Sequence, residues 1–262
     1  MLGACDRHGY GLIIHPCDHQ DRGLVEKLRA LLSSTRLDGL VLTPPFTEDR
    51  GIRELLEEYG APFVLISPLD QERTDPLVFT DDVSASVRMM KHLIDLGHRR
   101  IGFIRGLRQR SGSEMRYAGY RRALSENGID FDPALVGEGE FTFEKAEASA
   151  RQLLALQDPP TAIFASSDYM AAGVVKAAIA LRIAVPEQLS VTGFDDNPIA
   201  RYLTPTITTM RHPVKQLAEN AGDLLISRLR KGNSVARQLA TVPELVVRES
   251  CAPPCRGGGE ST

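Results

Sequence analysis

Short β-branched runs alternate with helically spaced apolar positions along almost the whole chain. GLIIHP (11–16), GLVLT (39–43), PFVLIS (62–67), LVFT (77–80), RIGFIR (100–105), TAIFAS (161–166) and LSVTGF (189–194) read as strands. They are continuous apolar runs rather than alternating ones, as expected of strands buried on both faces. Between them lie amphipathic stripes. Leu24, Leu28 and Leu31 form one, and Ile52, Leu55 and Tyr59 another. Val83, Val87, Met90 and Ile94 form a third, which Gly97 closes as a C-cap. Further helices are predicted over about 114–127, 143–156, 169–182 and 214–230. Strand and helix in repeated alternation predict an α/β fold, with parallel sheets covered by helices on both faces.

The strands divide more naturally between two sheets than within one. LVFTDD leads straight into the helix at 83–96 and on to RIGFIR, a natural crossing from one lobe to the next. No long Gly/Ser or Pro linker intervenes, so closely coupled lobes are expected. LGACDRHG, before GLIIHP, resembles the last turns of a helix. A right-handed crossover needs a strand ahead of that helix. The expectation is therefore that a first strand and most of a first helix are missing from these residues.

Composition narrows the possible functions. The 262 residues are 42% hydrophobic and 25% charged, with a formal net charge of −3, which provides no basic field for wrapping nucleic acid. No apolar run approaches the roughly 20 residues of a membrane helix. The opening MLGACDRHGYGLII carries charge where a signal peptide has its apolar core, so a cytoplasmic location is expected. Cys5, Cys17, Cys251 and Cys255 form no CxxC pair, and reduced thiols are expected. The end of the chain, 251–262, reads as a disordered tail.

In open parallel sheets ligands bind beyond the carboxyl ends of the strands. Those ends carry Cys17-Asp18, Pro44-Pro45-Phe46, Ser67, Phe79-Thr80-Asp81, Arg105-Gly106, Ser166-Ser167-Asp168 and Asp195-Asp196, and Gly139 to Phe141 closes another short strand. Aromatic faces mixed with carboxylates, hydroxyls and Arg suit a polyhydroxylated ligand. Each residue also has a plainer reading. Asp168 precedes a helix and reads first as its N-cap. Asp196, before Asn-Pro, either meets ligand or fixes a turn. Asp81 either caps the next helix or meets ligand. Phe79 and Phe141 are equally compatible with core, and Arg116 in SEMRYAGYRRAL with a solvated helix face. His98 reads as a partner of the preceding helix end.

Enzyme motifs are missing: there is no GxGxxG after a strand, no GxxxxGK[ST] and no GxSxG. HPCDHQ (15–20) invites a metal reading, but no second ligand cluster accompanies it, and neither metal nor cofactor is expected. On an extended backbone Asp195 and Asp196 face opposite sides, which argues against a shared-proton pair. A hydrolase using Asp195 is the weakest of the readings.

SVTGFDDNPIARYLTPTITTMRHP (190–213) resembles the corresponding stretch of the LacI/GalR family of bacterial transcription regulators. LDGLVLTPP (37–45), HLIDLGHRRIGFIRG (92–106), SEMRYAGYRRAL (113–124), PTAIFASSDYMAAGVVKAA (160–178) and VPEQLSVTGFDD (185–196) are similar to it in the same order. The resemblance spans roughly residues 3 to 250. It implies a two-lobed fold like that of type I periplasmic binding proteins. One lobe would comprise 1–80 plus 212–242, the other 81–211 plus 243–250. It also implies a non-enzymatic domain that binds a small sugar-like effector, forms a homodimer and shifts operator affinity through a headpiece. That headpiece is absent from these residues. By the same resemblance Arg116 and Asp195 hold effector, Phe141 and Phe79 form apolar walls, and Ser167 stands where the family has Asn. The alternative is a periplasmic sugar-binding protein of a transporter, which shares the fold.

Overall fold

The structure is a computed structural model, and it describes residues 1–19, 21–72, 74–231 and 238–255. In chain order the elements are α1 (Leu2–His8), α2 (Leu24–Ser34), β1 (Leu40–Leu42), α3 (Arg50–Glu58), β2 (Phe63–Ile66), β3 (Leu77–Thr80), α4 (Asp82–Asp95), β4 (Ile101–Arg105), α5 (Ser111–Glu126) and β5 (Val136–Glu138). They continue with α6 (Phe143–Leu154), β6 (Ala162–Ala165), α7 (Asp168–Ala180), β7 (Ser190–Asp195), α8 (Ile199–Tyr202), β8 (Thr208–Arg211), α9 (Val214–Lys231), β9 (Gln238–Thr241) and β10 (Glu244–Val246). These form two compact units. The first contains Met1–Thr80 and Pro213–Thr241, and the second Asp81–His212 and the residues from Val242 onward.

The first unit carries a parallel sheet in the order β1-β2-β3-β9. Its strands alternate side chains between two helical layers. Leu65 and Leu77 pack with Leu28, Leu55 and Leu56 of α2 and α3, while Val64 and Val78 pack with Leu217, Ala221 and Leu224 of α9. Asp49 starts α3 by accepting a hydrogen bond from the Ile52 N–H at 2.9 Å.

The second unit carries the sheet β10-β8-β7-β6-β4-β5, parallel except where β10 runs antiparallel to β8. On one face Phe103, Phe164 and Phe194 meet Met89, Met90, Leu93 and Tyr120 of α4 and α5. On the other, Ile104, Ile163 and Val191 meet Ala150, Met170 and Val174 of α6 and α7. Burying each large apolar side chain contributes about 1.5–3 kcal/mol, and both faces of each sheet are used in this way. Among the described residues no helix is long and apolar enough to cross a membrane.

Two expectations are corrected. GLIIHP joins no sheet, and Ile13 and Ile14 are 66% and 82% exposed. Strand propensity is expressed only through pairing, and this segment has no strand beside it. Residues 251–255 are ordered: Cys251 packs on the aromatic face of the sheet, and the Cys255 thiol reaches the Glu187 carbonyl at 2.6 Å. The rest of the expected tail, 256–262, lies outside the described residues. His98 meets the end of α4 as expected, its N–H donating to the Leu93 carbonyl at 3.1 Å, while its ring bonds to residues at the start of β6 and β7 and to the segment after β10. Its Nδ1 lies 2.9 Å from Thr161 Oγ1, and its Nε2 lies 3.0 Å from Ser190 Oγ and 2.9 Å from the Ala252 carbonyl.

Candidate functional site

The second unit gathers its chemistry at the carboxyl ends of β6 and β7. Arg116, on α5, is not a solvated helix residue: only 7% of its side chain is accessible. Its Nε donates to Asp82 Oδ2 at 2.9 Å and its Nη1 to the Ser166 carbonyl at 2.6 Å. Nη2 lies 3.3 Å from Asp195 Oδ1. The guanidinium carbon sits 3.6 Å from the centroid of the Phe194 ring, within cation–π range. Arg is the side chain suited to such a place, since its planar fork serves several acceptors while its face stacks on an aromatic ring.

Asp82 was not singled out by sequence reasoning. The signal was the doublet Asp81-Asp82 at the start of α4. Asp81 is the helix cap, accepting from the Ser84 N–H at 2.9 Å. That leaves Asp82 to turn inward onto Arg116. Its second oxygen, Oδ1, is buried with no hydrogen-bond partner, as is Ser166 Oγ. Buried polar atoms are nearly always paired, so these two mark unused hydrogen-bonding capacity beside the guanidinium.

Asp195 and Asp196 part company as expected, though not by extended geometry. Both have positive φ, 113° and 56°, so the strand breaks into a left-handed turn. Asp195 keeps 39% of its side chain accessible while touching Arg116. The protein packed around it pushes its carboxyl above the usual range, against the pull of Arg116. Asp196 is only 2% accessible and is gripped by three arginines: Arg201 at 2.9 Å, Arg211 at 2.8 Å, and Arg248. Burial alone would raise its carboxyl, but the hydrogen bonds from Arg248, Arg211 and Arg201 outweigh this and hold it down at about 2. Asp196 thus fixes the turn to α8, β8 and the segment after β10.

Asp168 is not the cap of α7. Ser167 caps that helix, its hydroxyl accepting from the Met170 N–H at 3.3 Å, and Asp168 is the first helical residue. Cap positions take extended backbone, and Ser167 is the residue that has it, with φ −157° and ψ 162°. The fully buried Asp168 carboxyl accepts from Thr209 Oγ1 and from the Asn197 N–H, both at 2.6 Å. Burial pushes it up to about 7 despite those two bonds. Gly193 allows this arrangement, because a Cβ there would lie 2.3 Å from Asp168 Oδ1.

Phe141 follows β5 in a left-handed turn, with φ 60°, and its half-buried ring lies on Gly106 at the end of β4. A Cβ on Gly106 would come within 2.2 Å of the ring. Phe79 lies in the first unit, on β3, where it is half-buried against the cluster of α2 and α3. Of the expected site residues, the structure therefore brings Arg116 and Asp195 into contact, adds Asp82, and assigns framework bonds to Asp81, Asp168, Asp196 and the Ser167 hydroxyl. Among the described residues no His, Cys, Asp and Glu cluster could hold a metal ion.

Residues 90–251 match the family model of a periplasmic binding protein-like domain. The chain is 32% identical over 246 residues to the HTH-type transcriptional repressor CytR of Escherichia coli strain K12, covering 93% of this chain and 71% of that one. It is 32% identical over 246 residues to the ribose operon repressor of Haemophilus influenzae, covering 94% and 73%. In structure it is similar to the transcriptional regulator CelR in complex with cellobiose, with a TM-score of 0.86, 29% identity, and coverage of 95% and 76%.

Proposed function

Since the chain belongs to the LacI family of transcriptional regulators, we propose that it is the effector-sensing part of such a regulator and is not an enzyme. The observation that carries this reading is the Arg116 cluster. A buried guanidinium shares its donors among Asp82, Asp195 and a carbonyl, with two buried acceptors beside it unpaired. Such a group binds and orients polar ligands; no nucleophile and activating base lie together in it. Asp195 and Arg116 take ligand hydroxyls, and Phe141 supplies apolar surface for a sugar ring. Ser167 takes a lesser part, because its hydroxyl already caps α7.

The ligand class follows from the donors and acceptors and from the relatives. One of them is a ribose operon repressor, and a structural neighbour holds cellobiose. Effector binding shifts the balance between two arrangements, and a cytoplasmic homodimer passes that shift to operator DNA through DNA-binding headpieces. That the relatives are repressors favours this reading over a transporter's sugar-binding protein. A thermal-shift screen against ribose, cellobiose and sugar phosphates tests it. A ligand that binds the folded state raises the melting temperature with its concentration. A panel of such sugars with no saturable shift would count against the proposal.

A further inference from the structure

Asp168 is a buried carboxyl that the Arg116 cluster does not use. It stands at the start of α7 and accepts from two other elements. One donor is Thr209 Oγ1 of β8 and the other is the Asn197 N–H of the turn after β7, both at 2.6 Å. We propose that Asp168 is a positioning residue for the effector contact: it locks the turn that presents Asp195, and so sets effector affinity without touching the effector. This inference rests on the effector reading of the Arg116 cluster.

Three observations carry it. First, the turn needs holding. Asp195 and Asp196 both have positive φ, 113° and 56°, and residues other than glycine persist there only where their surroundings fix them. Before the turn the backbone is fixed by the pairing of Asp195 with Arg211 and by the His212 N–H, which donates to the Asp195 carbonyl at 3.2 Å. After it, the Asn197 N–H is fixed by Asp168. That bond sets the peptide plane following Asp196, so the left-handed pair is clamped at both ends and the direction of the Asp195 side chain follows. Second, β7 yields space to the carboxylate. A Cβ on Gly193 would lie 2.3 Å from Asp168 Oδ1 and 3.2 Å from its Cα, and a glycine inside a strand marks such a close approach. Third, neither helix start nor stability calls for an acid at this place. Ser167 already caps α7. Burial pushes the Asp168 carboxyl up to about 7, with Asp195 and Asp196 adding to the rise, so its charged form opposes folding. Ionisable groups kept in such surroundings cluster at functional sites.

The test uses the full chain and two readings. Isothermal titration calorimetry with ribose and with cellobiose separates affinity from stoichiometry. Asp168→Ala should weaken binding at least about tenfold at unchanged stoichiometry, the scale of losing a charge-assisted hydrogen bond. Asp168→Asn can keep both bonds and should bind as the wild type does. Thr209→Val removes one of the two bonds and leaves no void, so it should fall between them, and it serves should the alanine variant not fold. The second reading needs no sugar. Amide exchange at Asn197 should be faster in Asp168→Ala than in the wild type and unchanged in Asp168→Asn, with β6 equally protected in all three. Wild-type affinity at reduced stoichiometry in Asp168→Ala would mark a purely structural role and overturn the proposal. So would Asn197 exchange that is the same in Asp168→Ala as in the wild type, or an Asp168→Asn variant that binds as weakly as Asp168→Ala. If neither sugar binds the wild type, the effector reading fails, while Asn197 exchange still decides whether Asp168 holds the turn.

Discussion

Asp168→Asn should remove a pH dependence from the stability of the second unit. The wild-type carboxyl is fully buried at the start of α7, and burial raises it to about 7. In the unfolded chain it titrates near the ordinary value of about 4. Below that pH both states are protonated and the neutral acid contributes in full. Between about 4 and 7 the folded state retains a proton that the unfolded state has released, so stability falls as pH rises. One pKa unit corresponds to about 1.4 kcal/mol, so the shift amounts to about 4 kcal/mol in total, of which about 3 kcal/mol is lost between pH 5 and pH 8. An amide is neutral throughout and can keep both bonds. Its oxygen accepts from the Asn197 N–H, and its nitrogen donates to the Thr209 hydroxyl, which can turn to accept. Urea unfolding of both proteins at the two pH values checks this. The stability gap should move in favour of the Asp168→Asn variant by a few kcal/mol from pH 5 to pH 8. Parallel pH profiles would refute the reasoning.

Asp196→Asn should act at the other end of the scale. The wild-type carboxylate is held at about 2, so its contribution is present above about pH 4 and is lost as pH falls toward 2, roughly 2 kcal/mol in all. Acid unfolding followed by circular dichroism should show that component in the wild type and not in the variant. Gly106→Ala places a Cβ against the Phe141 ring and should cost about 1–3 kcal/mol through overpacking. In a double-mutant cycle with Phe141→Ala, measured by urea unfolding, much of that cost should disappear, because the two residues share one contact.

What the chain order reveals about this fold is what local pattern can encode. Six of the seven apolar runs form strands because each has a neighbour in a sheet, and the helices follow the 3.6-residue stripes. GLIIHP has the same composition and no neighbour, and it stays out. β8 and β10 went unread because TTMR and ELV are short, and only pairing defines them. Site chemistry was legible as far as residue type and position at strand ends. Its partition was not. Two Asp doublets, 81–82 and 195–196, look alike in sequence, yet each divides into one residue facing Arg116 and one fixing the framework. Which is which depends on helix phase at the first and on a left-handed turn at the second. Arg116 is one of three arginines in SEMRYAGYRRAL, and its burial follows from tertiary contacts with Phe194, Asp82, Ser166 and Asp195 that the local sequence does not encode.

The central claim is that the Arg116 cluster receives a sugar-like effector through Asp195. Arg116→Ala is a poor probe, since it strands the buried Asp82 carboxylate, a loss that destabilises the fold whatever the ligand. Asp195→Asn keeps the size and one acceptor, and it leaves Asp82 paired. Isothermal titration calorimetry with the sugar that gives the largest thermal shift, on the wild type and on this variant, is the direct measurement. The account predicts affinity weaker by at least about tenfold in the variant, the scale of losing a hydrogen bond to a charged group. Equal affinity in the two proteins would contradict it.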